Sequence, residues 1–199
     1  MKTGAVITAA GKSSRMGDFK PLLKIGNFTA AEHVIRNFRA AGIRDIVFVT
    51  GNNAENLEKS LKHLSVVFLR NDMYEHNEMF DSVKIGLNYL KDTCGRILLS
   101  PVDVPLFTSD TVKLLLASKA NIGIPVYKEE AGHPIILDSD AVKRILTYSG
   151  GGGLRDAIAN LSLEIEYIET GEQGILFDMD TPADYRKIVH LYDMHNSGE

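Results

Sequence analysis

The chain has 199 residues, 44% hydrophobic and 24% charged, with a formal net charge of −4 and a pI of about 5.9. This is the make-up of a globular protein able to bury a sizeable core, and its length predicts a single domain over 1–199. The acidic balance, the lack of an apolar run near the ~20 residues of a membrane helix, and the lone Cys94 predict no nucleic-acid partner, no membrane, no intrachain disulfide and a cytoplasmic setting.

Along the chain, short apolar runs alternate with amphipathic ones. A buried strand is predicted over 4–9, with others over 45–50, 66–69 and 96–100, all rich in Val, Ile, Leu and Phe. Between them, Thr29-Ala30-Ala31-Glu32 forms a capping box, and Ala31, Val34, Ile35, Phe38 and Ala41 follow at helical spacing up to a stop at Gly42. Helices are also predicted over 53–64, 79–90 and 109–118. The second half adds strand-like runs at 122–126, 134–137, 163–168 and 174–177. A last helix starts at Thr181-Pro182, with Thr181 as N-cap and Pro182 at the first helical position. Strands alternating with helices imply a three-layer α/β/α fold around a mostly parallel, mixed sheet.

Chemistry gathers in four places. After the first strand comes Ala9-Ala10-Gly11-Lys12-Ser13-Ser14-Arg15-Met16-Gly17, with Lys20 close behind. Small residues let backbone N–H groups approach phosphate oxygens, Arg15 can grip them bidentately, and Lys20 adds a point charge. Neither G-x-x-x-x-G-K-[ST] nor G-x-G-x-x-G is present. A phosphate cradle is favoured over a flexible loop with incidental charges. In Pro101-Val102-Asp103-Val104-Pro105, two prolines stiffen the backbone around a carboxylate that is otherwise an ordinary turn acid. Asp178-Met179-Asp180 precedes the last helix, and Asp178 is expected to point away from Asp180. Gly132-His133-Pro134 precedes an apolar strand, where a histidine alone is most often a satisfied core residue.

Taken together, these motifs resemble the MobA-like nucleotidyltransferases, in particular the molybdenum cofactor cytidylyltransferases, whose opening signature is L-A-A-G-x-S-x-R-M-G-x-x-K-x-L-L. Thr8 stands where that signature has Leu and, preceding the loop, is expected to matter little. The resemblance implies a Rossmann-like, GT-A-like fold with a nucleotide-binding half over 1–105 and an acceptor-binding, metal-completing half over 106–199. It implies that residues 9–17 and Lys20 hold the triphosphate of CTP. Arg15 faces the departing pyrophosphate, Lys20 bridges nucleotide and acceptor, and Asn71 and Ser82 touch the nucleotide. Asp103 and Asp180 ligate Mg²⁺, so that Arg15, Lys20 and Asp103 carry catalysis. Gly132, His133, Pro134, Gly153 and Arg155 shape the acceptor site. Glu78 replaces a family glycine, and the segment before Arg155 lacks a family aspartate. Ala10, where guanylyl-transferring relatives carry Gly, favours CTP, with UTP next. The acceptor is expected to be molybdopterin, and the recipient partner a molybdoenzyme or its chaperone. The rivals are transfer to a sugar or alditol phosphate, a non-catalytic nucleotide-binding or cofactor-delivery protein, and an NAD-dependent oxidoreductase, which lacks its fingerprint.

Overall fold

The structure, a computed structural model, describes residues 2–11, 16–75 and 79–196, with backbone alone at 195–196. Its centre is β1 (Thr3–Ala9), flanked in parallel by β4 (Asp45–Thr50) and β6 (Arg96–Pro101). Beyond β4, β5 (Val67–Arg70) extends the sheet in the same direction. On the other side β9 (Ile135–Asp138) runs antiparallel to both β6 and β7 (Ile122–Tyr127), and β10 (Ile165–Glu169) is parallel to β7. The order is β10-β7-β9-β6-β1-β4-β5, with the short β8 (Glu130–Ala131) paired to β7. Of the strands in that order β9 alone runs against its neighbours, so the sheet is mixed and mostly parallel.

Alternation along the strands fills two cores. Ala5, Ile7 and Ala9 of β1 and Ile46 and Phe48 of β4 face α1 (Ala30–Ala40), α2 (Ala54–Leu61) and α4 (Ser109–Ala117). Val6, Val47 and Val49 face α3 (Met79–Leu90), α5 (Ser139–Thr147) and α6 (Gly153–Asn160). A third cluster, Ile25, Ala30, Met179 and Ile188, clamps the hairpin of β2 (Lys24–Ile25) and β3 (Phe28–Thr29) against α7 (Pro182–Asn196). No helix among the described residues is long and apolar enough to cross a membrane.

The capping box closes as predicted. Thr29 Oγ1 accepts from the Glu32 amide at 3.2 Å and Glu32 Oε2 from the Thr29 amide at 2.7 Å. Thr181 Oγ1 likewise accepts from the Asp184 amide at the head of α7, at 3.3 Å. One predicted strand is absent. Residues 174–177 do not extend; a 3₁₀ turn over Gln173–Leu176 stands there instead. Its Ile175 carbonyl leaves the sheet direction to accept from the His133 amide at 3.0 Å, so this backbone braces a turn and joins no ladder.

Candidate active site

In an open, largely parallel sheet, ligands gather beyond the carboxyl ends of the strands. Here the chain ends of β1 and β6 are laced together. The Val102 amide donates to the Thr8 carbonyl at 3.0 Å, and the Met179 amide donates to the Asp103 carbonyl at 3.0 Å. The first bond fixes the proline-bounded turn against β1. The second brings the segment before α7 alongside that turn. Carboxylate oxygens of Asp103, Asp178 and Asp180 consequently lie within 4.8 Å of one another.

Asp178 is thus inside the cluster, contrary to the expectation from sequence. Residues two apart on extended chain share a face, and it is Met179 between them, wholly buried, that turns into the core. Desolvation, reinforced by Asp103 and Asp180, pushes the Asp178 carboxyl up from the usual 3.8 to about 6.

Lys20 sits among these acids. The 3₁₀ turn Lys20–Leu22, with Pro21 in its first turn, delivers the side chain inward, leaving the residue 8% exposed. Its Nζ donates to Asp103 Oδ2 at 3.1 Å and to Asp180 Oδ1 at 2.7 Å. Burial opposes the ammonium charge, but the hydrogen bonds and attraction of Asp180 and Asp103 outweigh it and raise the pKa above the usual lysine value. Hard carboxylate oxygens packed this closely could hold a divalent cation, which would relieve the repulsion that Asp103 and Asp180 add to the desolvation of Asp178.

Two cavities open beside the cluster. The smaller, about 170 Å³, is lined by Ala9, Ala10, Gly11, Lys20, Asp103 and Asp180, and by Asn71 and Ser82 on its far side. Asn71 Nδ2 donates to Ser82 Oγ at 2.9 Å, and both residues are buried. Met16 is buried and Gly17 adopts φ +79°, a conformation suited to glycine. The predicted contacts Lys12, Ser13, Ser14 and Arg15 lie outside the described residues.

The larger cavity, about 800 Å³, is lined by Gly132, His133, Gly153 and Arg155 and walled by Phe80, Leu99, Leu154, Ile158 and Tyr167, with contributions from both 1–105 and 106–199. Pro134 is buried behind it. His133 is anchored through its amide to Ile175, and desolvation pulls its imidazole pKa below the usual value against the opposing pull of Asp103 and the Leu99 backbone. Its Nδ1 is buried with no partner among the described residues. Thr8, Met79 and Pro101 line both cavities, which therefore meet along these residues; Asp103 and Asp180 line the smaller one. From sequence alone, Thr8 is set aside and Tyr74 and Met79 are given no individual role. The one available signal is a polar Thr8 near the end of an otherwise apolar run.

Three acids, a buried lysine and the small residues 9–11 thus gather at the carboxyl ends of parallel strands, where two cavities adjoin. The chain belongs to the MobA-like NTP transferase domain family, which matches residues 5–165. It is 28% identical over 185 residues to the molybdenum cofactor cytidylyltransferase of Escherichia coli, covering 90% of this chain and 92% of that one. It is 32% identical over 120 residues to the bifunctional protein GlmU of Staphylococcus haemolyticus, covering 58% of this chain and 26% of that one. The chain thus spans about a quarter of the length of the GlmU relatives it matches. A nucleotidyl transferase from Methanothermobacter shares the fold with TM-score 0.85 at 21% identity, over 96% of this chain and 97% of that one. Rv0371c of Mycobacterium tuberculosis, solved in complex with manganese, shares it with TM-score 0.78 at 19% identity, over 96% and 99%.

Proposed function

We propose that the protein transfers CMP from CTP to the terminal phosphate of molybdopterin, releasing pyrophosphate. The observation that carries this reading is that the cavity lined by Asp103 and Lys20 adjoins a larger one across Thr8, Met79 and Pro101. CTP occupies the smaller, with its triphosphate along residues 9–17 and Arg15 toward the leaving group. The acceptor occupies the larger. An acceptor phosphate oxygen attacks the α-phosphorus, a P–O bond forms there, and the bond to the β-phosphate breaks. The attacking oxygen is already anionic, so no general base is required. The work is positioning and charge compensation.

Asp103 and Asp180, with Asp178 as a third candidate, would hold Mg²⁺, which supplies a Lewis acid to the phosphate oxygens. Rv0371c binds manganese in the same fold, which is compatible with a divalent ion here. Lys20 stays protonated and draws the acceptor phosphate and nucleotide together. Ala10 in the donor cavity favours a pyrimidine, and the relationship to the E. coli cytidylyltransferase favours CTP over UTP. An acidic chain with one cysteine suits a cytoplasmic enzyme that passes its product to a molybdoenzyme or its chaperone.

Phe80, Leu154, Ile158 and Tyr167 give the larger cavity aromatic and aliphatic surface on which a fused heterocycle can pack, and a sugar or alditol phosphate has no such ring to place there. Pyrophosphate release across the four ribonucleoside triphosphates, with molybdopterin or a panel of sugar phosphates, tests the reading. Release is expected with CTP and molybdopterin. Release with a sugar phosphate alone overturns the acceptor, and CTP binding without release under any condition favours the cofactor-delivery alternative.

A further inference from the structure

Thr8, Pro101 and His133 lie at or just beyond the ends of three adjoining strands. Thr8 pairs with Pro101 in the β1–β6 register. The β6–β9 ladder ends at Leu99 and Ile135, and His133 lies two residues before Ile135. All three line the larger cavity. Thr8 follows Val6 onto the side of the sheet facing α3, while Ala5, Ile7 and Ala9 face the other way. It is 5% exposed, and it lines the smaller cavity as well.

Buried polar groups are almost always hydrogen-bonded, and each exception calls for a reason. His133 Nδ1 is such an exception, buried without a partner, and on the same wall the Thr8 hydroxyl faces the cavity with no hydrogen bond to a described residue. Arg155 and Tyr167 are also polar parts of this wall, but Thr8 alone among these groups lines the smaller cavity too, the one that Asp103 lines. On the proposed function, the junction of the two cavities is where the acceptor's phosphate must arrive for transfer to occur.

We infer that Thr8 binds and orients the acceptor's terminal phosphate, its hydroxyl donating to a phosphate oxygen at the junction of the two cavities. This deepens the function proposed above and rests on it for the direction of the reaction. Valine has the shape of threonine without the donor, and serine has the donor without the methyl group.

In pyrophosphate release from CTP with Mg²⁺ and molybdopterin, Thr8→Val is expected to raise the molybdopterin KM by about 10-fold or more. Its CTP KM should stay within about twofold, and Thr8→Ser should stay near wild type in both. A second arm uses inorganic phosphate as the probe, titrated calorimetrically into protein loaded with a non-reactive CTP analogue. Thr8→Val should lose about 10-fold or more in phosphate affinity and Thr8→Ser should retain it. The inference is overturned if Thr8→Val matches wild type in both arms, or weakens CTP as much as the acceptor. Phosphate binding that depends on Thr8, without turnover of molybdopterin, overturns the proposed acceptor and leaves Thr8 in place. Turnover of molybdopterin that is indifferent to Thr8→Val does the reverse, and a wild type that neither binds phosphate nor turns over overturns both.

Discussion

On the proposed function, the chemistry rests on Lys20 and the three aspartates. Removing the lysine takes an ammonium group away from Asp103 and Asp180, beside the site where charge would develop. Lys20→Met is expected to lower kcat by about 10²–10³-fold, the cost of losing one preorganised stabilising group in comparable sites. Steady-state pyrophosphate release measures it, and a loss below about fivefold contradicts the role. Asp178 gives a pH signature. Its folded-state pKa of about 6 lies above the usual 3.8, so between those values the folded protein holds a proton that the unfolded chain has released. The contribution of this group to stability therefore falls as pH rises from about 4 through about 6, and stays low above that. Because the side chain is partly in solvent, the effect is discounted to about 1 kcal/mol. In metal-free buffer at pH 7.5, Asp178→Asn should melt about 2–4 °C higher than wild type and lose the slope between pH 4 and 6. An unchanged pH–Tm curve would rule out the strained carboxylate. Lys20, Asp103 and Asp180 are all legible in the sequence because each sits in a stiff, recognisable motif. Asp178 is legible too once period two is applied correctly. Thr8 is not, since its role depends on which cavity its strand face meets.

At the level of elements, the acceptor wall depends on a close approach of backbone to backbone. A Cβ added at Gly132 would collide with the Ile175 carbonyl, the same group that accepts from the His133 amide. Backbone cannot swing aside as a side-chain tip can. Gly132→Ala is therefore expected to cost about 1–3 kcal/mol of stability by overpacking. It should also raise the acceptor KM while leaving CTP binding unchanged. Equal losses in donor and acceptor binding would place the 3₁₀ turn over Gln173–Leu176 in a general scaffold role instead. That turn explains why a strand over 174–177 was a reasonable expectation and did not form. Its apolar residues are real, but Gly174 lies against the Leu106 backbone and the segment is spent bracing 132–133. Helices with local signals were legible: α3 spans Met79–Leu90 as its apolar spacing predicts, and α1 starts at its capping box. The β2–β3 hairpin was not, because two-residue strands carry no period. Packing of Ile25 against Ile188 and Met179 fixes it, together with the Tyr185 hydroxyl, which donates to the Lys24 carbonyl at 2.6 Å.

For the whole molecule, the ends of the parallel strands border the smaller cavity, and the reversal at β9 borders the larger. Chain order alone announces β1, β4, β5 and β6, whose runs are continuous and apolar. The reversed β9 and the edge position of β10 are set by crossovers that no local pattern encodes. The fold brings Asp103 and Asp180, 77 positions apart in the chain, to one lysine. The most direct test of the account is pyrophosphate release from CTP with molybdopterin and Mg²⁺, comparing wild type with Asp103→Ala. The account predicts metal-dependent release by wild type, and loss of release in an Asp103→Ala protein that keeps its secondary structure and melting transition. Undiminished Mg²⁺-dependent release by the variant would contradict it.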